Sequence, residues 1–323
     1  MVRRQRCSTT DGQAHRAAVQ AIVELLYWCI CMRKESHEIN RRAWNEATKA
    51  HNSHKADQAR FLRDGGSTLF PEELELLGDI QGKRLLHLQC NAGQDTLSLA
   101  RLGAHVTGVD ISDVAIDFAR QVAADSGLPG VFHRADVYDW LEEAARRGER
   151  FDIVFCSYGF LVWLSDIRAW AHGIAAVLAP GGRFVMIEFH PFLAMLDDAG
   201  CRIAHDYGGG WLWTFDEGIG DYVAWAGPSL APSGYLEGMR DFRNPHPSHE
   251  FVWGVGDLVS ALLDAGLRLE VLREYPYANG FPAFDGTVEL PGGRFAPPPD
   301  RPRIPMMMGL AATWNVEGGN VQR

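Results

Sequence analysis

Residues 83–112, KRLLHLQCNAGQDTLSLARLGAHVTGVDIS, constrain this chain more than any other stretch. An apolar run from Leu85 to Leu88 leads into a short polar loop holding Gly93. A helix-like segment, Asp95 to Leu102, follows and stops at Gly103; a second apolar run, Val106 to Val109, ends on Asp110. Strand, tight turn, helix, strand and acid make the first half of a nucleotide-binding βαβ unit. In such a unit the backbone N–H groups of the turn and of the helix N-terminus face a ligand, and Gly93 lets it come close. A carboxylate 17 residues past Gly93, at the tip of the second strand, is placed to bind the two hydroxyls of a ribose.

The turn selects among nucleotides. A dinucleotide site needs G-x-G-x-x-G to admit a pyrophosphate. The matching positions here are Gln89, Asn91 and Gly93, so one glycine remains and a pyrophosphate lacks its cradle. S-adenosylmethionine carries no phosphate, and its carboxylate and ammonium ask for polar partners instead. On these residues the chain resembles the class I S-adenosylmethionine-dependent methyltransferases. Their usual first motif ends a strand in acid-x-Gly-x-Gly-x-Gly. This chain has His87 for the acid, Gln89 for the first glycine and Asn91 for the second, and the variant is similar to a bacterial small-molecule subgroup with an HLQC…GQDT version.

The resemblance orders the rest of the chain. It implies a third strand, Val131 to Ala135, followed by Asp136 near the adenine amino group, and a fourth from Phe151 to Cys156. Apolar residues at helical spacing predict a helix over Ile167 to Leu178. Ala179-Pro180-Gly181-Gly182 is the turn before a fifth strand, Arg183 to Phe189. A helix from Gly256 to Ala265 feeds a sixth strand, Leu267 to Leu272; Met306 to Trp314 is the seventh, and Pro291 to Pro305 reads as a surface loop between them. The fold class is α/β: a Rossmann-like seven-stranded sheet, mostly parallel with the last strand antiparallel, with an N-terminal helical extension and a lid inserted after strand five. The methyltransferase domain spans 35–323 and the lid about 190–251. Cofactor contacts implied by the resemblance come from Gln89, Cys90, Asn91, Gly93, Asp110, Ile111, Asp136, Val137 and Cys156.

Composition narrows the function. A net charge of −10 argues against a nucleic-acid surface, which needs clustered Lys and Arg. Nearly half of the residues are apolar, as a globular chain requires. Six cysteines without a C-x-x-C pair suit a reduced, cytoplasmic protein. Residues 1–34 differ, with a charge of +4 against −14 for the remainder. Within them Ala17 to Met32 is apolar but too short and too polar to span a bilayer, and no small-residue cleavage site marks a secretory signal. Its apolar side reads as a surface for packing or self-association, giving a homo-oligomer; the alternative is that translation begins at Met32.

Two segments are candidates for closing the site. Glu38 to Leu62 is helix-like and holds Trp44, Asn45, His51 and His54. His190 to Phe251 is rich in aromatics, among them Tyr207, Trp211, Trp213, Phe215, Tyr222, Trp225 and Tyr235, with Gly208-Gly209-Gly210. A few of these rings are expected to touch a flat or apolar acceptor and the others to form a satellite core. The pairs His51/His54 and His246/His249 have spacing that could bind a metal, but lack the Cys or carboxylate partners of a zinc site, so no metal is expected. Methyl transfer needs alignment of nucleophile, carbon and sulfur, and a hydroxyl or protonated amine acceptor must also lose a proton. His190, at the ligand edge of strand five, is the first candidate base; His51 and Glu188 follow, and His87 reads as a buried structural residue. The expected function is methyl transfer from S-adenosylmethionine to a small molecule, planar or apolar, such as a secondary metabolite. The alternatives are a non-catalytic cofactor-binding protein on the same fold and, disfavoured by the missing glycines, a nicotinamide-dependent oxidoreductase.

Overall fold

Apolar residues alternate between two faces along every central strand, and this alternation builds the layers. The computed structural model describes residues 34–314; the segment 1–33, with the Ala17–Met32 stretch and Met32 itself, lies outside the described residues, as does 315–323. Seven strands form one sheet in the order β3-β2-β1-β4-β5-β12-β8. They are β1 (Arg84–Leu88), β2 (His105–Asp110), β3 (Val131–Arg134), β4 (Phe151–Ser157), β5 (Leu178–Phe189), β8 (Leu267–Tyr275) and β12 (Met307–Trp314). Strands β1 to β5 pair in parallel, with Leu85 opposite both Val106 and Ile153. β12 runs antiparallel to both neighbours, β5 and β8.

One face of the sheet presents Leu86, Leu88, Val154, Cys156, Phe184, Met186 and Leu310 to α6 (Val137–Arg146), α7 (Ile167–Val177) and α9 (Val255–Asp264). The other presents Leu85, Ile153, Phe155, Val185 and Ile187 to α3 (Pro71–Leu77) and α4 (Gln94–Arg101). Burial on both faces explains why these strands read as apolar runs and not as half-polar ones. Helix starts follow side-chain caps. Ser112 accepts the Ala115 N–H to open α5 (Asp113–Ser126), and Asp166 accepts the Arg168 and Ala169 N–H groups to open α7. The expected turn at 179–182 is looped out of β5, since pairing with β4 jumps from Leu178 to Arg183.

Two insertions and one helix stand over the C-terminal edge of the sheet. Residues 34–53 are helical (α1), and α2 (Gln58–Arg63) follows after a break. The single helix-like stretch expected from Glu38 to Leu62 is therefore two. The chain between them pairs Lys55 with Tyr235 as an isolated bridge, and Asp57 caps α2 by accepting the Arg60 N–H. The insertion after β5 holds β6 (Trp211–Phe215) paired antiparallel with β7 (Ser248–Val252), and α8 (Tyr222–Ala226) between them. A second insertion, between β8 and β12, forms a three-stranded sheet of β9 (Ala278–Asn279), β10 (Val288–Leu290) and β11 (Arg294–Ala296), with β11 in the middle. This corrects the plain surface loop expected over Pro291 to Pro305: Phe295 is buried, which gives β11 an inner face.

Trp170 on α7 is fully buried, stacked near Phe160 and edge-on to Phe184. Trp170→Ala should cost about 3–5 kcal/mol, the range for deleting a large buried aromatic side chain. Urea unfolding measures it, and a loss below about 1 kcal/mol would mean that this ring does not hold α7 on the sheet.

Candidate active site

The turn after β1 is built from residues in unusual backbone conformations. Gln89 and Asn91 take φ of 54° and 48°, and Gly93 takes 77°. The Asp110 carboxylate holds this turn, with Oδ2 accepting the Asn91 N–H at 2.8 Å and Oδ1 accepting the Ser112 N–H at 2.8 Å. Burial pushes its pKa up to about 6 against the lowering effect of these amides, so the group is mostly ionised at neutral pH. Gln89 Nε2 donates to the Phe160 carbonyl at 3.0 Å, which fixes its Oε1 as an acceptor; that buried oxygen has no partner.

A cavity of about 920 Å³ opens above this turn. Gln89, Cys90, Asn91, Asp110, Ile111, Asp136 and Val137 line it, together with His51, Glu188 and His190. Two expected residues fall outside its lining. Cys156 is buried in the core on the α6–α7 side of the sheet. Gly93 does not make room for a ligand: a Cβ there would lie 2.6 Å from Ala119 Cβ and 2.9 Å from the Phe132 ring. Packing against α5 and β3, and the left-handed backbone, are what require glycine at this position.

The candidate bases differ in what their polar atoms already do. His190 caps a turn by accepting the Phe192 N–H on Nδ1, and its Nε2 bonds to Glu274 at 2.9 Å, so both nitrogens are engaged. Glu188 accepts the N–H groups of Gly159, Leu161 and Phe189, tying β5 to the chain after β4; burial raises its pKa to about 7. His51 is different. Its Nε2–H donates to the Gly220 carbonyl at 2.9 Å, which leaves Nδ1 as a buried lone pair without a partner. Burial lowers its pKa, keeping the imidazole neutral. His87 is a buried core residue bonded to Thr96 at 2.8 Å, and burial pushes its pKa down to about 3.

Helix α1 and the insertion after β5 close the cavity. His37 Nδ1 meets the Asp136 carboxylate at 2.5 Å while Asp136 caps α6 by accepting the Tyr138 N–H, so Asp136 is held from both sides. Asn45 accepts from Ser112 Oγ at 2.8 Å and donates to Asp113. Gly220 and Asp221 hold His51 and His54, the latter at 2.8 Å. The insertion thus lies on the same edge as Asp110. Of its aromatic side chains Trp213 and Tyr222 line the cavity, whereas Tyr207, Trp211, Phe215, Trp225 and Tyr235 are exposed. None of those five rings lines the cavity; Tyr235 stacks on His54, and the Tyr207 hydroxyl accepts the Val255 N–H. The inner aromatic wall comes largely from elsewhere: Trp44, Phe70, Tyr158, Trp163 and Phe281.

Three polar lining residues carried no sequence signal, Lys55, Glu250 and Asn279, and Asp95 showed only as part of the GQDT motif that opens a helix. The Glu250 carboxyl has no hydrogen-bond partner among the described residues, and burial pushes its pKa up to about 7. Asn279 donates to Glu72 and to the Tyr158 hydroxyl, which leaves its Oδ1 buried and unpartnered. Among the described residues no group of three or more His, Cys, Asp or Glu is placed to hold a metal ion, and no helix is long and apolar enough to cross a membrane. His249 is taken up by Ser36 at 2.9 Å.

The sequence model of the methyltransferase-domain family matches residues 85–182, from β1 to the start of β5. A ubiquinone biosynthesis O-methyltransferase of Chelativorans sp. (strain BNC1) is 32% identical over 141 residues, 43% of this chain and 54% of that protein. The enzyme of the same name from Aromatoleum aromaticum is 35% identical over 104 residues, 32% of this chain and 43% of that protein. The chain thus spans about half the length of the curated relatives it matches. The CcbJ methyltransferase from Streptomyces caelestis shares the fold, with a TM-score of 0.50 at 16% identity, covering 85% of this chain and 99% of that one.

Gly93→Ala should destabilise the protein, by roughly 1–2 kcal/mol for the left-handed backbone and about 1–3 kcal/mol more for overpacking against Ala119 and Phe132. Chemical denaturation measures this directly. An unchanged midpoint would mean that the turn has room for a side chain, contrary to its packing.

Proposed function

We propose that this chain, which carries a class I S-adenosylmethionine-dependent methyltransferase domain, transfers a methyl group from S-adenosylmethionine to a hydroxyl of a small, planar or apolar molecule, with His51 as the general base. The carrying observation is that the Asp110 turn and His51, whose buried Nδ1 has no partner, line one cavity. The residues suit the cofactor. Asp110 keeps lone pairs free for the ribose hydroxyls after accepting two amides, and Gln89 Oε1 is an acceptor still waiting for a donor. Asp136 and Val137 lie at the β3 end of the cavity, where the adenine of a nucleotide on this fold belongs. A pyrophosphate is a poor fit, because one glycine remains in the turn and Lys55 is the only Lys or Arg among the described lining residues.

When bound, the cofactor supplies a methyl group on a positively charged sulfur. The protein's own contribution is placement and one proton. Trp44 and Tyr222 pack against His51, and Trp163 packs edge-on against Trp44, offering flat apolar surface to an aromatic acceptor. His51 Nδ1 accepts the proton of the acceptor hydroxyl as the oxygen attacks, and Gly220 holds the ring in the tautomer that makes this possible. His190 and Glu188 shape the wall, because their polar atoms are already bonded. The insertion 190–251 acts as the lid, joined to α1 through Gly220 and Asp221.

A paired comparison tests the assignment. Asp110→Ala should weaken S-adenosylhomocysteine binding by two charge-assisted hydrogen bonds, each worth about 1.5–3 kcal/mol. In the unmodified protein, affinity should fall as pH drops through about 6, where Asp110 takes up a proton and loses its acceptor strength. His51→Gln should leave that affinity unchanged and lower kcat by roughly 10²- to 10⁴-fold towards a catechol-type probe. Calorimetry reads the first and single-turnover methylation the second. Unchanged affinity in Asp110→Ala would sink the cofactor site, and unchanged kcat in His51→Gln would remove the base.

A further inference from the structure

Lys55 and Asp95 are opposite charges that line the same cavity without pairing. The Lys55 ammonium makes no hydrogen bond to any described residue and no ion pair within 4.0 Å. Asp95 is close enough for its charge to favour the protonated lysine, yet its oxygens are held by others: Thr68 Oγ1 donates to Oδ1 at 2.5 Å and Ser157 Oγ to Oδ2 at 3.4 Å. Each is fixed by its own element. Lys55 sits in the backbone bridge to Tyr235, and Asp95 is in the first turn of α4. Gln94 ties the two elements together by donating to Asn52 Oδ1 at 3.2 Å and to Gln58.

We propose that Lys55 and Asp95 form a clamp for the α-amino-carboxylate end of the cofactor, with Lys55 taking the carboxylate and Asp95 the ammonium. The clamp rests on the cofactor reading given above. Two opposite charges facing one low-dielectric cavity and held apart are costly unless something with both charges fills the gap. A zwitterion does so, one group to each. The position agrees: Asp95 follows the Gln89–Gly93 turn by two residues, and Asp95, Asp110 and Tyr222 line one cavity, with both carboxylate charges acting on the Tyr222 hydroxyl. The first motif explains why this chain would need it. His87 stands in β1, buried and neutral, so that strand offers the ammonium no acid, and Asp95 supplies one from the following helix. Burial leaves Lys55 with a pKa of about 8, still mostly cationic at neutral pH.

Calorimetry with two nucleosides tests the clamp. S-adenosylhomocysteine carries the amino-carboxylate and 5′-methylthioadenosine lacks it, while both carry the adenosine and the sulfur. Lys55→Met and Asp95→Asn should each weaken S-adenosylhomocysteine binding roughly 10- to 100-fold, the loss of one charge-assisted contact, with methylthioadenosine binding nearly unchanged. Lys55→Arg should recover part of the loss. Equal losses for both nucleosides, or no loss for S-adenosylhomocysteine, would overturn the clamp while leaving the cofactor site standing. Failure of the unmodified protein to bind either nucleoside would overturn the cofactor reading and the clamp with it.

Discussion

The buried carboxylate of Asp110 is the contact on which the site depends. It accepts one amide from the turn after β1 and one from the turn after β2, so it locks together the two loops that frame a nucleotide. Burial without amides would neutralise the group; the amides keep its pKa near 6 and its charge available. The same bond stabilises the left-handed conformation of Asn91, which a non-glycine residue adopts only when its surroundings enforce it. A motif with a single glycine can therefore still form its turn.

Closure of the site is polar where the core is apolar. The sheet is sealed by two large hydrophobic clusters, but α1 joins the domain mainly through hydrogen bonds: Asn40 with both backbone groups of His249, Asn45 with Ser112, His37 with Asp136 and His54 with Asp221. The apolar cluster under α1 is small, centred on Ala43, Ala47 and Ile219. Such contacts cost less to break than a core, which suits a cover that has to admit a cofactor and an acceptor. The exposed rings Trp211 and Trp225 do not line the cavity.

The fold was legible in the sequence because strands buried on both faces leave apolar runs and helices leave spacing, caps and glycine stops. The place of Asp110 in the cavity wall was legible because the end of β2 is fixed by the βαβ unit. What escaped depends on contacts between distant segments. Nothing local shows that Gly93 is needed by Ala119 and Phe132, that Cys156 lies in the core on the α7 side and not in the cavity wall, or that the histidine with a free nitrogen is His51 and not His190. The second insertion escaped for a related reason: proline and glycine density signals turns, and three two- or three-residue strands between them are too short to carry a period. Lys55 and Asp95 look like ordinary solvated charges until the break after α1 and the start of α4 turn them into one cavity.

A crystal structure of the protein with S-adenosylhomocysteine tests the central claim most directly, because it asks whether one cavity organises both the nucleoside and the base. The ribose hydroxyls should lie on the Asp110 carboxylate, adenine beside Asp136 and Val137, and the sulfur should point to the side of the cavity where His51 and Tyr222 stand. A nucleoside bound outside this cavity, or one whose ribose makes no contact with Asp110, would contradict it.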